Sequence, residues 1–94
     1  MEVVWSEPAE KNLDAIVTYI AADNIHAALE MDDLLREAAN KLAQFPQKGK
    51  PGRVPGTREL TPHPHYVLVY LLREKSVHIV TVLHTARQWP PERM

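Results

Sequence analysis

Apolar positions in the first half of the chain recur at helical spacing, whereas those in the second half alternate or run together as they do in strands. Val3-Val4-Trp5 is a short apolar run closed by Ser6 and followed by Pro8. Serine is a favoured N-cap, and proline costs nothing in a first helical turn, so a helix is predicted to begin here. Leu13, Ile16, Val17 and Ile20 form its apolar stripe, with Glu10, Lys11 and Asp14 turned away. Asp23-Asn24 breaks the pattern and caps a second helix. The stripe of that helix is Met31, Leu34, Leu35, Ala38, Leu42 and Phe45, and Pro46 ends it. A short connection between two such helices makes an antiparallel hairpin.

Gln47 to Pro55 is the one shift in composition, with glycines and prolines among basic residues, and it predicts a loop. Three strands follow, over 56–60, 65–72 and 76–84, the last two joined by Arg73-Glu74-Lys75-Ser76 as a hairpin. The order β-α-α-β-β-β predicts an α+β domain, with the helix hairpin packed on one face of a small, mostly antiparallel sheet. Leu13, Ile16, Ile20, Leu34, Leu35, Leu42 and Phe45 have no other apolar surface to cover, and burying each fully would stabilise by roughly 1.5–3 kcal/mol. With Arg73 opposite Ser76, Tyr70 is expected to face Ile79, Val67 to face Val82 and His65 to face His84. That register sets His65 and His84 on one sheet face and Tyr66, Tyr70 and Thr81 on the other, and a one-residue shift would undo it.

Composition then bounds the reading. A chain of 94 residues with 45% apolar content predicts a single domain, 1–94, with a thin core. Cysteine is absent, which leaves no disulfide framework and suits a reducing cytosol. No apolar run approaches the roughly 20 residues of a membrane helix, and Met1-Glu2-Val3 lacks the charged start of a secretory signal; a cytoplasmic protein with no membrane partner is the expectation. The net charge of −1 hides a dipole: residues 1–46 carry three cations and nine acids, residues 47–94 eight cations and three acids. Four of the five histidines also fall in the second half. Such a basic half would attract a polyanion or an acidic protein. The alternative is that acids decorate helices and cations decorate strands with no partner involved.

Gly56-Thr57-Arg58-Glu59-Leu60, Tyr66-Val67-Leu68-Val69-Tyr70 and Val77 through Arg87, taken with the helix pair that follows Trp5, carry a family resemblance. From Val3 to Trp89 the chain resembles the RelE/ParE superfamily of toxins from type II toxin–antitoxin systems. The resemblance implies the same fold and a growth-inhibiting toxin neutralised by a cognate antitoxin, with no cofactor. The Thr57-Arg58-Glu59-Leu60 strand and the Val82-Leu83-His84 ending look closest to the ParE-like branch, which implies DNA gyrase as a target inhibited by binding. The RelE-like branch would instead imply a ribosome-dependent mRNA interferase, an endoribonuclease. A member that keeps only its antitoxin-binding role is a third reading. The split in charge further predicts an acidic antitoxin segment that orders over the 47–94 half.

Three groups of residues are candidates for chemistry. Arg58, His84 and Arg87, with Lys50 and Arg53 in the preceding loop, offer what cleavage of RNA by its 2′-hydroxyl requires: proton transfer near neutral pH and cations for the phosphorane charge. Under a nuclease reading Arg58, His84 and Arg87 would be catalytic. Under a binding reading Lys50, Arg53, His65 and Trp89 would contact the target or antitoxin. The structural alternative has His84 as a hydrogen-bonded strand end and Arg58 paired with Glu59 or a helix acid. The nucleases of the family often place a tyrosine near the C-terminus, where this chain has Trp89. His63-Pro64-His65, with His78 and His84, could ligate a metal, but Pro64 marks the start of a strand more naturally and no metal is expected. Arg87-Gln88-Trp89-Pro90-Pro91 would pack Trp89 on the domain or dock it on a partner, where Trp and Arg are favoured anchors.

Overall fold

A computed structural model describes residues 1–86. Its elements are β1 (Glu2–Trp5), α1 (Glu7–Ala21), α2 (Ile25–Lys41), β2 (Lys50–Pro51), β3 (Arg58–His63), β4 (Tyr66–Arg73) and β5 (Ser76–His84). The five strands form one sheet in the order β1-β5-β4-β3-β2, antiparallel except where β1 runs parallel to β5. The expected α+β architecture is present, with a short additional strand, β2, inside the 47–55 loop. Two residues between turns leave no periodicity to read, and β2 exists through its pairing with Arg58 and Glu59.

The helix caps follow the sequence. Ser6 Oγ accepts the Ala9 N–H at 3.1 Å and also donates to the Val80 carbonyl at 2.9 Å, while Asn24 Oδ1 accepts the Ala27 N–H at 3.0 Å. Arg36 ties the layers together: it pairs with Glu10 on α1 and Asp32 on α2 and lies over the Trp5 ring, 5.4 Å from its centroid. Both helices cover the same sheet face. Ala9 and Leu13 of α1 and Leu35 and Ala39 of α2, with Leu42 just beyond it, pack against Leu68, Tyr70, Val77, Ile79 and Val82. Val67, Val69 and Leu83 cluster with Val80 on the opposite face.

Three members of the expected set are not core: Ile20 is half-buried and outside the cluster, and two more are exposed. Leu34 is 37% exposed and Phe45 61% exposed. Leu34 lies at the flank of α2 beside β3, and Phe45 follows the end of α2, where the chain turns towards the sheet. The hairpin register also departs from expectation. Arg73↔Ser76 and Tyr70↔Ile79 pair as anticipated, but a bulge follows, and beyond it Val69 faces Thr81, Val67 faces Leu83 and Tyr66 faces His84. The extra residue is Val80, which is skipped in the pairing. Its disrupted ladder is satisfied from α1: Asn12 Oδ1 accepts Thr81 Oγ1 at 2.6 Å and the Val82 N–H at 3.2 Å, and Ser6 takes up the Val80 carbonyl. The shift moves His84 beside Tyr66, against the expected separation of the two, and sets Thr81 opposite Val69, from where its hydroxyl still reaches Asn12 of α1.

Candidate functional site

Chemistry-bearing side chains collect at opposite ends of the β3-β4-β5 ladder. At one end the 47–57 loop is fastened by buried polar contacts. Tyr70, fully buried, accepts the Gly49 N–H and donates to the Pro46 carbonyl, both at 2.8 Å. Gly49 is required by closeness: a Cβ there would stand 2.7 Å from Tyr70 Oη and 2.9 Å from the Glu59 carbonyl oxygen. Gly56 turns the chain into β3 with a φ of 88°, a conformation open to glycine.

Glu59 is the electrostatic anchor of that loop. Its buried carboxylate accepts the Arg53 backbone N–H at 2.9 Å and Arg53 Nη2 at 3.1 Å. Burial opposes ionisation of Glu59, but the hydrogen bonds from Arg53 and the charges of Arg53 and Lys50 outweigh it and hold the carboxyl below its usual range. Arg58 donates to the carbonyls of Gly49 at 2.6 Å and Gln47 at 3.4 Å. Arg53, not Arg58, is therefore the partner of Glu59, because β3 alternation turns the Glu59 carboxylate towards the loop that carries Arg53. Lys50 is exposed on β2 beside Glu59.

At the other end lies a row of rings. His65, in the turn between β3 and β4, stacks on His84 with centroids 5.5 Å apart, and Tyr66 meets the His84 ring edge-on at 5.5 Å. His63 stands 5.4 Å from His65 and 5.7 Å from Tyr66. Two of the histidines hold their own turns: His63 Nδ1 accepts the His65 N–H, and His84 Nδ1 accepts the Ala86 N–H, each at 3.1 Å. Beside the row, Asn12, Ile16 and Tyr19 of α1 close a cleft of about 390 Å³ with Tyr66, Val82 and His84. Tyr19 is 80% exposed, so the cleft opens to solvent between aromatic walls. No group of three His, Asp or Glu side chains among the described residues is arranged to hold a metal ion.

Arg58 and His84 are not neighbours. Arg58 pairs with Tyr70, whereas His84 pairs with Tyr66, so four residues of β4 separate the two rows, roughly 13 Å along the strand. His65 and His84 do meet, although through the turn and not as the cross-strand pair expected. Arg87 and Trp89 lie outside the described residues. Sequence reading missed Asn12, Tyr19 and Tyr66 as walls of the cleft; Tyr19, an aromatic on the polar side of the α1 stripe, was the one visible signal.

A small helix hairpin on one face of a five-stranded, mostly antiparallel sheet is the architecture this chain shares with a solved RelE/ParE-type toxin structure. The sequence model of the ParE toxin of the type II toxin–antitoxin system parDE matches residues 3–89. The chain belongs to this family, and it is the toxin component of a type II system. It is 37% identical over 87 residues to Y4kP of Sinorhizobium fredii, whose name places it among the toxins, an alignment covering 92% of this chain and 90% of that one. It is 38% identical over 86 residues to toxin RelE2 of Caulobacter vibrioides, covering 92% of this chain and 97% of that one. Among solved structures it resembles a chain of the chromosomal ParDE toxin–antitoxin system from P. aeruginosa, with a TM-score of 0.80 and 26% identity over 89% of this chain and 95% of that one. No helix among the described residues is long and apolar enough to cross a membrane.

Proposed function

We propose that this toxin inhibits growth by binding DNA gyrase, without bond-breaking chemistry of its own, and that a cognate antitoxin neutralises it. One observation carries the reading: Arg58, the cation that a nuclease would need beside His84, stands at the far end of the ladder with its guanidinium on the Gln47 and Gly49 carbonyls. Phosphorane stabilisation requires donors held within hydrogen-bond distance of the reacting phosphate. Arg53 is likewise engaged by Glu59. Lys50, His65 and Trp89 are the residues proposed to contact gyrase or the antitoxin. The ParDE system resembled by this fold supports an antitoxin as partner.

A nuclease reading keeps one observation in its favour, the stacked His65–His84 pair beside Tyr66 at an open cleft, where proton transfer would find both donor and acceptor. The two readings separate in a supercoiling assay with purified gyrase run beside mapping of transcript ends in a translation extract. The expected result is loss of supercoiling with intact mRNA, and His84→Ala lowering inhibition only as far as it lowers gyrase affinity. Cleaved transcripts whose cutting falls by about 10²–10⁴ in His84→Ala, with ribosome binding retained, would reverse the assignment to the mRNA interferase.

A further inference from the structure

Two histidines at the ring-lined end close backbone turns. The His63 ring accepts the His65 N–H at Nδ1 and the His84 ring accepts the Ala86 N–H at Nδ1, in each case from the residue two places further on. Asparagine and aspartate close turns by the same bond, but here the acceptor is a side chain that can take up a proton. A ring nitrogen that accepts must keep its lone pair, so both imidazoles are neutral in this arrangement and carry their proton on Nε2. Between the two turns the Thr85 N–H donates to the His65 carbonyl at 2.8 Å, which ties the exit of β5 to the turn between β3 and β4. The rings form a closed circuit in which His63, His65, His84 and Tyr66 each lie 5.4–5.7 Å from the next.

We propose that His63 and His84 form a proton-sensitive clasp: as neutral rings they close the turn into β4 and the exit of β5, and on protonation at Nδ1 they release both. Protonation converts Nδ1 from an acceptor into a donor aimed at a backbone N–H, and turning the ring over presents only a carbon in its place. It also introduces like charges into the circuit, where His65 is stacked on His84. No opposite charge offsets them among the described residues. The groups that face the row are Tyr66 of β4 with Asn12 and Tyr19 of α1; the cleft is lined by no carboxylate, and no histidine belongs to an ion pair. His78 supplies the contrast. Its Nε2 lies 2.8 Å from Ser76 Oγ, and because a hydroxyl both donates and accepts, that bond survives in either charge state. His84 is also a wall of the cleft, so the clasp sets the shape of the cleft mouth, closed while the rings are neutral and loosened as the pH falls through the range of about 5–8 in which imidazoles change charge. The inference does not depend on which cellular target the toxin has.

The test is an NMR titration of the whole nitrogen-15-labelled chain from about pH 8 to about pH 5. Long-range proton–nitrogen spectra of the imidazoles read which nitrogen carries the proton, and backbone relaxation reads order at residues 63–65 and 84–86. At the alkaline end His63 and His84 should both be in the Nε2–H form. As each ring takes up a proton, the amide of His65 or Ala86 bonded to it should shift along the same titration curve, and order in both turns should fall, while the turn beside Ser76 and His78 keeps its order. The deciding variant is His63→Asn, His84→Asn, because the asparagine carbonyl accepts the same N–H and does not titrate. Its two turns should stay ordered across the whole range, with the amide spectrum outside them unchanged as the check on folding. An Nδ1–H form of either histidine at the alkaline end, turns that keep their order after the rings are protonated, or the same loss of order in the asparagine variant would overturn the proposal.

Discussion

The two ends of the β3-β4-β5 ladder use similar residue types to opposite effect. At the loop end, the buried Glu59 and Tyr70 and the part-exposed Arg53 and Arg58 are spent on one another and on the loop: Glu59 on Arg53, Tyr70 on Gly49 and Pro46, Arg58 on two carbonyls. At the histidine end, His65 and His84 are exposed, and their rings lean on one another and on Tyr66 beside an open cleft. Burial decides the difference. A buried polar group left unpaired costs about 1–3 kcal/mol, and Glu59 and Tyr70 at the loop end are paired, whereas exposed rings can remain available to a partner at little cost. The lesson is that a cluster of cations in the sequence marks a braced loop here, and the free chemical surface lies with the histidines.

That contrast can be broken most forcefully at Gly49. Gly49→Ala would drive a Cβ against the buried Tyr70 ring and the Glu59 backbone, and is expected to destabilise by about 1–3 kcal/mol, read as a lower midpoint in urea. Tyr70→Phe keeps the ring but strands the buried Gly49 N–H, and should cost about 1–2 kcal/mol by the same measurement. If either variant is as stable as the parent, the loop is not braced in the way described.

Acid should loosen the loop end selectively. Glu59 is held below its usual range in the fold, so it contributes stability that is fully present above the unfolded carboxyl value of about 4.3 and is lost as the pH falls through the folded value. Glu59→Gln should therefore flatten the dependence of urea midpoint on pH below about 4.3, and an unchanged slope would place the acid sensitivity elsewhere. The smallest effect belongs to the histidine end. His84→Ala removes an exposed ring and should change stability by no more than about 0.5 kcal/mol, while altering whatever docks at the cleft. A large loss of stability in that variant would show that the row of rings is structural and would erase the contrast.

Much of the fold was legible along the chain because local signals and burial agreed. Ser6 and Asn24 cap where their side chains predict, and Leu13, Leu35 and Leu42 point to one core, although the second helix ends at Lys41, short of the Pro46 expected to end it. The hairpin turn at Glu74-Lys75 and its first pairings were equally readable. The candidate site was less so. Arg58 and His84 share strands that neighbour β4, but distance along a strand is as important as strand order, and only the register says that they stand at opposite ends.

By itself, then, the sequence determined the α+β order of elements, the two helix stripes, the sheet-forming second half and the toxin family, since each depends on periodicity, capping or many matched positions. Tertiary structure decided the rest. The bulge at Val80 arises because Ser6 and Asn12, some 70 residues away in the chain, satisfy the groups it frees, and that bulge alone brings His84 to Tyr66. The Arg53–Glu59 pair depends on how the loop folds over β3, and the exposure of Leu34 depends on how far α2 stands from the sheet edge. None of these has a local period, because each is a contact between segments whose approach is set by the packed core.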